Sequence, residues 1–218
     1  MTPGLRAMKI RPMKIERKAD HAVSEASCKS ATGKTLAEWF KVLDQHGGVP
    51  LGRRTLSKWL EHERDVELWW ATTIVNEYEI ARGDLAKDGK PRGYMICPTK
   101  SIKASPKDCF AAFATGKALD GWFGPRHDVD MREGGHWRNG DGNRATIRKV
   151  NIGKNIRLVA EDAGLSVPIP IEIKFEPNDK NCTVMIAIDR LQGRAEADGY
   201  RHAWSEALER LKSFVESK

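Results

Sequence analysis

The feature that most constrains this chain is a run of alternating apolar and polar residues followed directly by one long helical stripe. Ile169, Ile171, Ile173 and Phe175 fall on one side of an extended strand, with Glu172 and Lys174 on the other. Val184, Ile186 and Ile188 repeat the pattern, although Met185 and Ala187 make the opposite face of that strand partly apolar. Tyr200, Trp204, Leu208, Leu211 and Val215 then recur at helical spacing. A sheet with one apolar face needs a cover, and residues 194–217 supply roughly 35 Å of helix to lie across it. The pattern predicts a curved antiparallel sheet wrapped on a long C-terminal helix.

Turn chemistry extends the sheet upstream. Asn139-Gly140-Asp141-Gly142, Asn151-Ile152-Gly153 and Pro177-Asn178-Asp179-Lys180 each separate apolar-rich runs, as antiparallel hairpins demand. Gly134-Gly135 reads as a turn or bulge between strands, and Pro168 and Pro170 predict a strand that begins at an edge or a bulge. Before these come a strand at 99–103, a helix from Pro106 capped by Ser105 with Phe110 and Phe113 on its apolar side, and a short helix over 117–122.

Residues 21–83 read as helical. Thr35-Leu36-Ala37-Glu38 has capping-box form, Leu36, Trp39, Phe40 and Leu43 supply an apolar stripe, and Gly47-Gly48 ends the segment. A short helix over 55–62 carries Leu56, Trp59 and Leu60, and Asp65 is placed to cap a further helix that ends at Gly83. With a weaker helical segment before Gly33, these make a small all-α unit in which Trp39, Trp59 and Trp69 read as core. The stretch DLAKDGKPRGYMICP has glycine, proline and charge without periodicity, as a linker does. The expected division is a basic mobile tail at 1–20, a helical domain at 21–83, a linker at 84–98 and an α+β domain at 99–218.

Composition excludes several classes of function. The 218 residues are 40% apolar, enough for a core, yet no run approaches the ~20 apolar residues of a membrane span. No apolar segment follows the basic N-terminus as secretion requires, so the expectation is a cytoplasmic protein. Cys28, Cys97, Cys109 and Cys182 are scattered without a C-x-x-C pair, which fits reduced thiols and argues against structural zinc. The net charge of +7 is spread out: residues 1–98 hold 17 Lys+Arg against 13 Asp+Glu, and residues 99–218 hold 20 against 17. Its densest cluster, Arg6, Lys9, Arg11, Lys14, Arg17 and Lys18, reads as a solvated tail. Gly33-Lys34-Thr35 mimics the end of a phosphate-binding loop, but Cys28 stands where the first glycine belongs. The only candidate DNA-reading helix carries Asp65, Glu67, Glu77 and Glu79 against Arg82, a charge that phosphates repel. Neither a specific nucleic-acid partner nor a cofactor nor a metal is expected.

The blocks GWFGPRHDVDMREGGHWRNGDG (121–142) and YRHAWSEALERLKSF (200–214), with strand-like sequence between them, resemble the START-like superfamily, and within it the homologues of the heat-shock-protein-90 ATPase activator. The similarity covers about 99–217 and implies a helix-grip fold with a hydrophobic cavity between sheet and helix. Candidate lining residues are Trp122, Phe123, Trp137, Ile147, Ile171, Phe175, Ile186, Trp204 and Leu208, although the same residues suit a filled core. ATGKTLAEWFKVLDQHGG and WLEHERDVELWWATTIVNEYEIARG resemble a helical domain family of unknown function that is often fused to START-like domains.

The leading expectation is therefore a module that binds a small hydrophobic molecule, with the helical domain as lid, partner surface or regulatory attachment. A chaperone-linked role is the alternative, although the chain lacks the co-chaperone's separate N-terminal chaperone-binding domain. A START-like cyclase or hydrolase is the third. His127, Asp128 and Asp130 precede His136, but on a strand His127 and Asp128 face opposite sides, and no catalytic residue is assigned.

Overall fold

The computed structural model describes residues 15–161, 165 and 167–217; the tail residues Arg6, Lys9, Arg11 and Lys14 lie outside them. Contacts divide the chain into two compact units, one of 16–95 with 189–199, the other of 96–188 with 200–218 and Ile15.

The first unit holds α1 (Glu25–Thr32), α2 (Leu36–His46), a 3-10 turn (Val49–Leu51), α3 (Arg53–Glu63) and α4 (Leu68–Ala81). Capping boxes open α1 at Ser24–Ser27 and α2 at Thr35–Glu38, satisfying amides that would otherwise lack partners. Trp39, Leu43, Leu56, Leu60, Ile74 and Tyr78 form the core. Helix α4 begins later than its sequence predicts, because Asp65 takes a left-handed φ of 54° while the amide of Val66 bonds back to Leu60 at the end of α3. Glu67 caps α4 instead, accepting from the Trp70 amide.

Of the tryptophans read as core, only Trp39 is fully buried. Trp59 is half-buried, stacked on His46 with the Arg64 guanidinium 4.6 Å from its ring, and Trp69 packs under the Arg194 guanidinium at 4.4 Å. Residues 84–93 form a hydrogen-bonded turn, with Ala86 N–H bonded to Lys90 O at 2.8 Å and Arg92 N–H to Asp84 O at 3.2 Å. Residues 189–199 belong to this unit through an Arg190–Asp88 ion pair and a bond from Gln192 Nε2 to Arg92 O at 3.1 Å.

The remaining elements are β1 (Tyr94–Ile96), β2 (Thr99–Ile102), α5 (Pro106–Ala111), α6 (Gly116–Asp120), β3 (Asp128–Val129), β4 (His136–Arg138), β5 (Arg144–Asn151), β6 (Asn155–Ala160), β7 (Ile169–Asn178), β8 (Asn181–Leu191) and α7 (Arg194–Glu216). The strands form one sheet in the order β1-β8-β7-β6-β5-β4-β3, with β2 also pairing β8. The pairs from β2 onward are antiparallel. The fold is α+β with the helix-grip arrangement.

Alternation places Ile169, Ile171, Ile173 and Phe175 on the buried face of β7, and Cys182, Val184, Ile186 and Ile188 on that of β8. Strand β7 is interior rather than an edge. Pro170 is tolerated there because β7–β8 pairing starts only at Ile171–Ile188, so Pro170 is opposed by Val159 alone. On α7, Tyr200, Trp204, Leu208, Leu211 and Val215 are buried, and Lys103 N–H bonds the Glu216 carboxylate at 2.8 Å.

Gly134-Gly135 lies in the β3–β4 connection. A Cβ on Gly135 would sit 2.0 Å from the Asp130 carbonyl oxygen, whereas one on Gly142, at φ +88°, meets nothing within 4 Å. Gly135→Ala should therefore cost about 3 kcal/mol or more from the clash, and Gly142→Ala only about 1 to 2 kcal/mol from backbone strain. Urea unfolding of the two variants checks this, and equal losses would contradict the tight turn.

Candidate ligand cavity

Between α5, α6 and the sheet, aromatic rings fill most of the interior. Phe113 lies with its ring centroid 4.9 Å from Trp122, 5.4 Å from Phe175 and 6.2 Å from Trp137. Phe123 continues the cluster, 5.8 Å from Trp137 and 5.1 Å from Trp204 on α7. The Trp122 indole N–H donates to Ala112 O at 2.9 Å, and Arg210 Nε on α7 donates to Trp122 O at 2.9 Å. These bonds fix the α6–β3 connection beneath the helix.

The filling stops at the floor of β5 and β6. Ile147 pairs across to Leu158, but two residues away Ala145 pairs with Ala160. Two alanines side by side remove the volume that larger residues supply elsewhere on this face, and a cavity of about 70 Å³ lies there. Phe123, Trp137, Leu158, Ile171, Tyr200 and Trp204 form most of its wall. Asn139, Asn143 and Arg144, from the β4–β5 hairpin, edge it, and Ile15 completes the lining. Asn139 shapes the hairpin by accepting, through Oδ1, the amides of Asp141 and Asn143, each at 3.0 Å.

Among the nine candidates named from sequence, Phe123, Trp137, Ile171 and Trp204 line this cavity. Trp122, Ile147, Phe175, Ile186 and Leu208 are buried in the surrounding core instead. Tyr200 was legible on the helical stripe, whereas Leu158 belongs to β6, a strand whose residues the sequence reading did not single out. The alanines gave no signal, since missing volume leaves no mark on a hydropathy pattern.

Polar chemistry lies beside the cavity. His127, its side chain only 1% exposed, has Nδ1 2.9 Å from Asp120 Oδ1, and its backbone N–H donates to the same oxygen at 2.8 Å. Burial opposes ionisation of Asp120, yet these hydrogen bonds hold its carboxyl below the usual carboxylate range. The Nε2 of His127 is buried without a partner among the described residues, and its ring lies 5.6 Å from Phe123. Asp128 pairs instead with His136 at 2.9 Å. The sequence missed the His127–Asp120 pair because it joins the end of α6 to the following loop, outside any periodic element. Cys109 and Cys182 are buried, and burial pushes both thiols up, away from thiolate chemistry. Among the described residues, no group of His, Cys, Asp and Glu is arranged to hold a metal ion, and no helix is long and apolar enough to cross a membrane.

The family described as activator of Hsp90 ATPase homolog 1-like protein matches residues 103–216, more than half of the chain. The chain belongs to that family. Within the same fold, CalU16 from Micromonospora echinospora superposes with a TM-score of 0.51 at 15% identity, over 56% of this chain and 75% of its own. The Aha1 dimer from Colwellia psychrerythraea gives a TM-score of 0.52 at 19% identity, covering 56% of this chain and 96% of that one. An Hsp90 activator from Plasmodium falciparum gives 0.51 at 12% identity, covering 57% and 97%. At such identities the likeness establishes the fold. No curated protein matches the chain in sequence. The family match begins after α4, so the helical unit is not identified by it.

Two tryptophans of this family domain are predicted to respond differently to the same change. Trp122→Phe leaves the Ala112 carbonyl without its buried donor, which costs about 1 to 3 kcal/mol beyond the lost volume. Trp204 Nε1 has no partner among the described residues, so Trp204→Phe should lose volume only. Thermal unfolding measures both, and an equal or larger loss for Trp204→Phe would mean that its N–H is engaged.

Proposed function

We propose that this protein binds a small apolar molecule in the cavity between the sheet and α7. The observation that carries the reading is the Ala145–Ala160 pair, which leaves apolar space amid a core otherwise packed with aromatic rings. The volume of about 70 Å³ is well below the ~300 to 1,000 Å³ of pockets for drug-sized ligands. In this form it suits a single ring or a short branched chain, and larger ligands require the lining residues to move apart. The buried Cys28, Cys109 and Cys182 are thiols, which supports a reducing compartment such as the cytoplasm.

Toluene, titrated calorimetrically, is expected to show saturable one-to-one uptake. Ala160→Val, which fills the floor with a strand-compatible side chain, should abolish uptake while the protein stays folded. Absence of saturable uptake by the wild type would sink the reading.

Association with an Hsp90-class chaperone is the second reading, favoured by the family description and by the activator from Plasmodium falciparum. The test is the steady-state ATPase rate of such a chaperone with this protein added. A rise that saturates supports the association, and no change at high concentration counts against it.

A further inference from the structure

We infer that Ile15–Asp20 is a strap that seals the cavity with the Ile15 side chain, and that a ligand enters by displacing that side chain. The entry half of the inference rests on the cavity-binding reading above. Ile15 is half-buried and lines the cavity, although it precedes every helix and strand of the described chain. The residues after it are tied to the first turns of α7. Arg17 Nη2 lies 3.4 Å from Glu196 Oε1, and the Asp20 amide donates to Asp198 Oδ2 at 3.0 Å. Both carboxylates are held in turn: Glu196 accepts the Gln192 amide at 2.8 Å, and the fully buried Asp198 accepts Arg194 Nε at 3.1 Å. The strap is therefore anchored on the same helix that supplies Tyr200 and Trp204 to the cavity.

Ile15 is the part of the wall that moves at least cost. The strands and α7 supply most of the lining, and shifting a residue there breaks ladder or helical hydrogen bonds. Phe123 is fixed by its amide, bonded to Leu119 O at 2.7 Å, and the β4–β5 hairpin by the two amides that Asn139 Oδ1 accepts. Residues 15–19, by contrast, form no helix or strand. Displacing Ile15 exposes one apolar side chain and leaves the sheet, α7 and the bonds of Arg17 and Asp20 intact. Segments that open for ligands are drawn from such weakly held parts of a fold.

The test is Ile15→Ala in the full chain, which removes the seal without touching a helix or strand. Toluene exchange followed by NMR line shape gives association and dissociation rates. A gate acts on both, so both should rise about tenfold, the effect of no longer exposing an isoleucine during entry and exit, while the affinity changes far less. A change in dissociation alone would make Ile15 a fixed wall residue and overturn the gate. A second readout needs no ligand: in 13C-methyl-labelled protein, the isoleucine resonance lost in Ile15→Val identifies Ile15, which should show nuclear Overhauser contacts to an aromatic ring of the cavity wall. Their absence would overturn the strap whatever toluene does. Uptake by Ile15→Ala but not by the wild type would support the strap, as a seal that excludes the ligand, and sink the wild-type binding reading. Uptake by neither protein would overturn the gate together with that reading.

Discussion

A sheet whose inner positions are isoleucine, valine, phenylalanine and tryptophan cannot face water, and the architecture of 96–188 and 200–218 follows from that constraint. Each such side chain removed from water contributes roughly 1.5 to 3 kcal/mol. One helix cannot cover so many strands alone. Helix α7 lays Trp204, Leu208, Leu211 and Val215 over the interior, and α5 and the residues after α6 bring Phe110, Phe113, Trp122 and Phe123 to the remainder. The bond from Arg210 to Trp122 O then ties the two covers together.

Much of this was legible because it is periodic. The alternation in β7 and β8, the stripe on α7 and the turn residues of the hairpins are all local patterns, and the structure follows them. So is the capping box at Thr35–Glu38, since a cap involves residues only three apart. Asp65 departed because two helix ends compete for the same few residues, and closing α3 took it away from α4. Pro170 departed because a strand can be interior in the sheet and still lack a neighbour opposite one residue.

The acidic residues of α4 show how one charge pattern admits a different use. Their sign argued against phosphate contact, but sequence alone did not say what they do. Glu79 is buried and takes a bond from Arg53 Nε at 2.7 Å, and Glu77 accepts the Tyr94 hydroxyl at 2.6 Å. The candidate site was less legible than the fold for a related reason. Its shape depends on pairs brought together across strands, and its polar groups on a loop contact between His127 and Asp120. Neither arises from a repeat along the chain.

The alanine pair on the floor separates the frame from what the frame encloses. Strand register and hairpin turns do not depend on which small or medium side chain occupies 145 and 160, because the ladder there is made by backbone groups and the side chains line the cavity. Capacity can therefore drift while architecture stays fixed, and relatives with one fold can come to hold molecules of different size through exchanges at as few as two positions.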